Sequence, residues 1–368
     1  MADSLQTMLD FRDISASYRN APTMVGTPML DTFWSDVKST VSDDVTIFSL
    51  TRSNVPNPAN TRGSMPKRQN GPGASKKSFS LFNSFNELTM PNDTLRFLRS
   101  NDPGIRQIGQ EWVAATIEEA GRRQKLLREV LVGQAMTFGV SCLDSNFDPI
   151  MPTVHATTGA LTTTGAAVVA DYQVADSHRG NCGSLTTGAW DTTTTDIFQE
   201  LEGFRDASVK AGSEAPNTVY INRLRLPKLL LNTKFQAWAT LNKVTNEQVI
   251  NSGKITNYFG WNIVGVEGYW TSAGGTQYPL IPLRQAIICP PNGPWKRCVE
   301  GTQDVPTTLG VFDNLESALA TMKPVVGMFG FAQVKVTPLA QCSLYLGDNF
   351  GLGFANPNSI YMPTVFSA

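Results

Sequence analysis

Catalysis by this chain would have to be assembled from a small stock of reactive side chains. The two histidines, His155 and His178, lie in one Thr- and Gly-rich stretch with no second imidazole at metal-ligand spacing. Each reads as a surface or hydrogen-bonded residue rather than a base. The five cysteines, Cys142, Cys182, Cys289, Cys298 and Cys342, are odd in number and form no CxxC pair, so neither a disulfide framework nor a zinc site is indicated. Only Cys298, in WKRCVEG, has cations beside it: Lys296 and Arg297 would lower a thiol pKa. A buried, inert thiol is the commoner alternative. Glu118 with Glu119, and Glu200 with Glu202, are pairs of the kind acid–base chemistry uses, but on helices these spacings do not converge and a solvated face explains them. GPGASKKS holds glycines and lysines at the wrong spacing for a phosphate loop, and GxSxG and dinucleotide fingerprints are missing. The sequence therefore predicts no enzyme, no cofactor and no metal.

Two stretches suit binding better. Asn54 to Ser78, NVPNPANTRGSMPKRQNGPGASKKS, contains Arg62, Lys67, Arg68, Lys76 and Lys77 and no acidic residue, in a chain whose formal net charge is -1. It admits three readings: a phosphate-binding patch, a solvated linker too poor in apolar residues to offset chain entropy, or an arm that neighbouring subunits hold in place. The second stretch, GYWTSAGGTQYPLIP, is a Gly-rich loop bracketed by Trp270 and Tyr278, surface-facing aromatics of a kind favoured at interfaces. Its plainer reading is a loop packed on its own domain.

The elements that position these stretches follow from composition and periodicity. With 368 residues, 41% of them hydrophobic and 17% charged, the chain can bury a substantial core, and its low charge favours association. Thirty Lys and Arg balance 31 Asp and Glu, so no global field attracts DNA or an anionic membrane. The amino-terminal sequence carries early acidic residues and no long apolar run, which is not a signal-peptide pattern, and no segment has the apolar length of a membrane span. Scattered cysteines and these absences suit a reducing cytoplasm.

Residues 1–40 are aperiodic with isolated apolar anchors, as expected of an extended arm. DVTIFSLTR (44–52) and KKSFSLFNSF (76–85) alternate like the two legs of a projecting hairpin around the basic loop. Asp102 as N-cap, Pro103 at the first helical position and apolar Ile105, Ile108, Trp112, Leu126, Leu127, Val130 and Leu131 predict one helix running to Gly139. Gly109, Gly121 and Gly133 within it read as tolerated small residues or as places to bend. Residues 150–195 predict short strands and loops, with VVADYQV the clearest strand. Asp196 then caps a helix with Ile197, Leu201 and Phe204 on one face, closed by Gly212. Strand 217–222, helix 228–241, strands 261–270 and 285–290, helix 315–323 and one or two closing strands complete an α+β pattern.

The order of these parts resembles the major capsid proteins of tailed bacteriophages, with the Hong Kong 97 fold, and in particular the lambda-type major capsid protein E family. VVADYQV, the Trp190–Asp191 step before a helix, NTVYIN followed by a helix, and VEGYW with YPLIPLRQAIICPP carry the resemblance. It implies an N-terminal arm over 1–40, an E-loop hairpin over 41–90 and a peripheral domain over 91–215 with a spine helix over about 102–138. An axial domain over 216–330 and closing strands over 331–368 complete it. It further implies homo-oligomeric hexamers and pentamers forming an icosahedral virion shell around double-stranded DNA, held without sequence-specific contacts and assembled in the bacterial cytoplasm. Arg62, Lys67, Arg68, Lys76 and Lys77 would then be E-loop contacts, and Trp270 and Tyr278 axial-tip contacts, between subunits. A portal and a decoration protein are implied partners. The arm begins almost at Met1, so a separate scaffolding protein is expected. An encapsulin-like compartment shell of the same fold is the alternative.

Overall fold

Asp102 and Gly139 delimit the longest element of the chain. In the computed structural model, which describes residues 10–23, 26–42, 44–51, 73–98, 100–180, 189–306, 322–335 and 341–367, the helix Pro103–Phe138 spans 36 residues. At 1.5 Å per residue it is a rod about 50 Å long. The Asp102 carboxylate accepts from the Gly104 amide (2.8 Å), and Gly139, at φ 70°, ends the helix by entering a conformation that side chains with a Cβ resist.

The chain divides into two compact units, one of Met1–Val45, Ser80–Glu129 and Cys298–Leu352, the other of Thr46–Phe79, Val130–Arg297 and Gly353–Ala368. The division cuts across the sequence boundaries: the long helix is shared, residues 298–330 join the first unit, and the carboxyl-terminal residues join the second.

The first unit is built on a six-stranded sheet. Its path runs Lys38–Thr40, Lys296–Pro306, Gln341–Phe354, Phe329–Lys335, with Phe82–Thr89 also paired to Gln341–Phe354 and Met322–Val326 to Lys296–Pro306. Leu344 and Leu346 lie in a core with Ile14, Tyr18, Leu95, Leu98, Val113 and Ile117, so one sheet face is covered by the amino-terminal and long helices. The buried face of the long helix here is Val113, Ile117, Gly121, Gln124 and Arg128; Ile105, Ile108 and Trp112, counted in its apolar pattern, are exposed.

Several expectations are corrected in this unit. Beyond residue 10 the arm is not extended: it forms helices Phe11–Asn20 and Pro28–Phe33, and Ile14 and Tyr18 anchor it on its own core. The second hairpin leg ends at Ser80, because Phe82–Thr89 turns to pair with Gln341–Phe354. Of the helix expected over 315–323, residues 315–321 lie outside the described residues, and Met322 and Lys323 begin a strand. Gly121 is not an idle small residue, since a Cβ there would collide with the Tyr18 carbonyl and lie 2.7 Å from Ala21.

The second unit holds a four-stranded sheet in the order Lys254–Tyr258, Trp261–Val266, Thr218–Asn222, Ala286–Cys289. Thr218–Asn222 is buried on both faces, parallel to Trp261–Val266 and antiparallel to Ala286–Cys289. The parallel pair needs a crossover, and helices Leu226–Leu229, Thr233–Leu241 and Asn246–Ser252 supply it. The single helix expected over 228–241 breaks at Asn232, whose side chain accepts from the Lys234 and Phe235 amides and donates to two carbonyls. Helix Ile197–Lys210 matches expectation, with Asp196 accepting from Gln199 and Ile197, Leu201 and Phe204 buried. Val168–Asp171 of VVADYQV pairs with Val140–Leu143.

Candidate functional site

Cys182 lies outside the described residues; among those described, most groups that chemistry would need are committed to structure. Cys142, Cys289, Cys298 and Cys342 are buried, and Cys298 donates to the Phe33 carbonyl at 3.3 Å, which supports the inert reading of that thiol. Burial pushes the Cys142 and Cys342 thiols up to about 11, leaving them protonated near neutrality. Burial also lowers the His178 pKa; its Nδ1 lies 2.8 Å from the Ile360 carbonyl and its ring stacks on Tyr361. His155 is exposed, and its Nδ1 accepts from the Thr158 amide at 3.2 Å. Glu119 pairs with Arg122 and Arg123 on the outer face of the long helix. Glu200 and Glu202 depart from the solvated-face reading: Glu200 is buried, and the two accept from the Trp190 and Trp261 indoles at 2.7 and 2.9 Å. Among the described residues no group of three or more His, Cys, Asp or Glu is placed to hold a metal ion, and no helix is long and apolar enough to cross a membrane.

The binding stretches occupy separate places. Asp44–Thr51 and Gly73–Ser80 pair as a two-stranded sheet at the root of the basic loop. Arg62, Lys67 and Arg68 lie outside the described residues; Lys76 and Lys77 belong to the returning strand, with Lys76 exposed.

Tyr269–Thr271 and Gln277–Pro279 form an antiparallel hairpin in which Trp270 lies opposite Tyr278, ring centroids 5.1 Å apart. Its turn is closed by Gly275 and Thr276: the Gly275 amide donates to the Ser272 carbonyl at 2.9 Å and the Thr276 amide to the Ser272 hydroxyl at 3.2 Å. Trp270 is only 5% exposed, contrary to the surface-facing expectation; the tryptophan stiffens the hairpin, and the aromatic it presents to solvent is Tyr269.

A third surface went unnoticed in the sequence. On the sheet of the first unit Phe331 stacks on Tyr345 (5.1 Å, 20°) and Tyr345 on Phe85 (5.7 Å, 14°), while the Tyr345 hydroxyl donates to Glu87 at 3.0 Å. Phe85 is half exposed. The register explains the stack: Phe331 is paired with Tyr345, and Phe85 with Gly347 two residues on, so the rings share one face. Alternation in FGFAQVK and QCSLYLG was the available signal, but only their pairing with the distant strand Phe82–Thr89 makes a patch of it.

No known family profile matches the sequence, and no curated protein matches it. Solved structures do. A prophage protein of Escherichia coli CFT073, assigned as its capsid protein, superposes with a TM-score of 0.55 at 10% identity, over 97% of this chain and 99% of its own. A phage-related protein of Bordetella bronchiseptica RB50 follows at 0.48 and 11% identity, over 96% of each chain. The capsid chain of cyanophage A-1(L) gives 0.47 and 10%, over 93% of each chain. The first of these superpositions shows the fold, an α+β capsid-protein fold of the Hong Kong 97 type, matched over 97% of this chain.

Proposed function

We propose that this chain is the major capsid protein of a tailed bacteriophage: a structural, non-enzymatic subunit that assembles with itself into hexamers and pentamers of an icosahedral shell around double-stranded DNA. One observation carries the reading, the agreement in fold over 97% of this chain and 99% of a prophage protein assigned as a capsid protein. The chain's own chemistry supports it. Its described cysteines are buried, its near-zero net charge lets copies crowd together without gripping DNA, and its described surface presents aromatic patches. Closed symmetry would let modest contacts at the basic loop, the Tyr269–Pro279 hairpin and the Phe85–Tyr345–Phe331 face add up around each subunit. Arg62, Lys67, Arg68, Lys76 and Lys77 would set register on acidic or carbonyl-rich surfaces of a neighbour, and Trp270 and Tyr278 would hold the hairpin that meets its copies. The product is a virion shell built in the host bacterial cytoplasm, with a separate scaffolding protein, a portal and a decoration protein as partners.

Electron microscopy of the chain co-expressed with its neighbouring phage genes tests the proposal. Closed icosahedral particles with nuclease-protected DNA are expected. Particles filled with an enzyme cargo and free of DNA would favour a compartment shell, and a persistent monomer under these conditions would overturn the reading.

A further inference from the structure

The four-stranded sheet of the second unit carries an apolar patch at each end, and the two differ in shape. At one end the turn between Lys254–Tyr258 and Trp261–Val266 presents Phe259. Its ring leans on Phe198 at 4.7 Å and on Trp238 at 6.4 Å, yet stays 54% exposed. Three residues beyond Trp238, and so on the same side of helix Thr233–Leu241, Leu241 ends that helix 84% exposed. Lys243 follows it into solvent.

The backbone of the turn is set against the residue it presents. Asn257 and Gly260, at φ 60° and 88°, suit the left-handed region, but Phe259 enters it as well, at φ 49°. A bulky side chain there is a conformational outlier, and this one also leaves half of its ring in water. Strain of this kind gathers where a side chain is held for a contact.

At the other end of the strands, about 20 Å away for six residues of strand, Arg223 and Glu267 pair at 3.0 Å. Beside them lies a groove of about 360 Å³ lined by Leu224, Pro227, Ile250 and Tyr269. Leu224, Ile250 and Tyr269 are exposed. The Glu267 side chain is 68% exposed, so its carboxylate keeps room for a second cation.

Each patch, on the order of a few hundred Å², falls short of the about 800 Å² per partner that stable complexes bury, so neither holds a partner by itself. The two complement each other. A leucine and a phenylalanine stand out at one end and an apolar groove is open at the other, with Lys243 beside the first and Glu267 beside the second. A two-fold contact would bring like to like. A head-to-tail contact brings the protruding end to the groove and closes a ring in which every copy uses both patches.

We propose that the second unit docks head to tail on a second copy of this chain, with Leu241 and Phe259 of one copy in the groove between Leu224, Ile250 and Tyr269 of the next, and Lys243 paired with Glu267. The contact rests on the self-assembly proposed above and gives it two named faces and a direction.

Cross-linking of the full-length protein, prepared by the co-expression used for microscopy, tests the contact. The chain carries Leu224→Cys and Leu241→Cys together with Cys182→Ser, and is treated with a bismaleimide too short to join the two ends of one copy. Both new cysteines replace exposed residues, and the native cysteines described are buried. A ladder of linked chains running beyond the dimer is expected from this variant, and monomer alone from either single-cysteine variant. Dimers from a single-cysteine variant, or double-variant particles without a ladder, overturn the contact and leave the shell standing. A ladder without icosahedral particles supports the contact and counts against the shell, whereas a persistent monomer overturns both.

Discussion

Arg128 is the residue on which the first unit concentrates its electrostatics. Its Nε donates to Asp348 Oδ2 at 2.6 Å, its Nη2 to Asp348 Oδ1 and its Nη1 to Glu300 at 2.7 Å, while Trp34 and Phe350 approach its guanidinium at 5.4 and 5.0 Å. Burial opposes the charge, but the bonds and field of Asp348 and Glu300 outweigh it and push the Arg128 pKa up. Gln124 fills one remaining carboxylate site, donating to Asp348 at 2.7 Å. A bidentate pair with Asp348 fully buried is costly to break from one side, because the surviving charge keeps its desolvation penalty. Asp348→Asn should cost about 3–5 kcal/mol in urea unfolding, whereas replacing Arg128 and Asp348 together by Met and Leu should cost far less. Equal losses would mean that packing, not charge, holds this site. None of this was visible along the chain: Arg128 and Asp348 stand 220 positions apart, and GDNF reads as a turn until its strand partner is known.

Elements that carry their own start and stop signals were legible, and those defined by distant partners were not. The long helix announced itself because Asp102, Pro103 and Gly139 fix its ends independently of packing. Lys296–Pro306 and Met322–Val326 pair with each other across residues 302–306, yet charges in the first and Pro324 in the second hid their strand character. The amino-terminal helix has an Asp10 cap, but nothing local shows that Ser15 exchanges hydrogen bonds with Gly330 or that Arg19 reaches the Met328 carbonyl. The candidate surfaces divide likewise: the basic loop is a compositional signal, while the Phe85–Tyr345–Phe331 stack exists only through register. Gly121 joins the two kinds of information, since its helix is legible and its contact is not. Gly121→Val should push Tyr18 and Ala21 off the helix, at a cost of about 1–3 kcal/mol, and should accelerate proteolysis within residues 10–23 before the rest of the unit is cut. Simultaneous loss of the whole unit would show that the amino-terminal helix is inseparable from its core.

At the scale of the whole molecule the question is what a basic loop contributes to a chain with no net field. Of its cations, Lys76 is exposed on the described strand, where a surface ion pair would contribute about 0–1 kcal/mol. Between subunits the same charges, repeated around a closed shell, would bias register at every copy. The two roles separate experimentally. Replacing Arg62, Lys67, Arg68, Lys76 and Lys77 by Gln should leave unfolding of the isolated chain within about 0.5 kcal/mol of the native value if these cations act between subunits. If the native chain assembles as proposed, sedimentation should nevertheless show the variant stalled at small species under the same conditions. Raising salt should weaken native assembly in the same direction, because exposed charges are screened beyond about 10 Å at 0.1 M. A loop that served instead to grip DNA would give assembly unaffected by the substitutions and a steep salt dependence of duplex binding that they abolish.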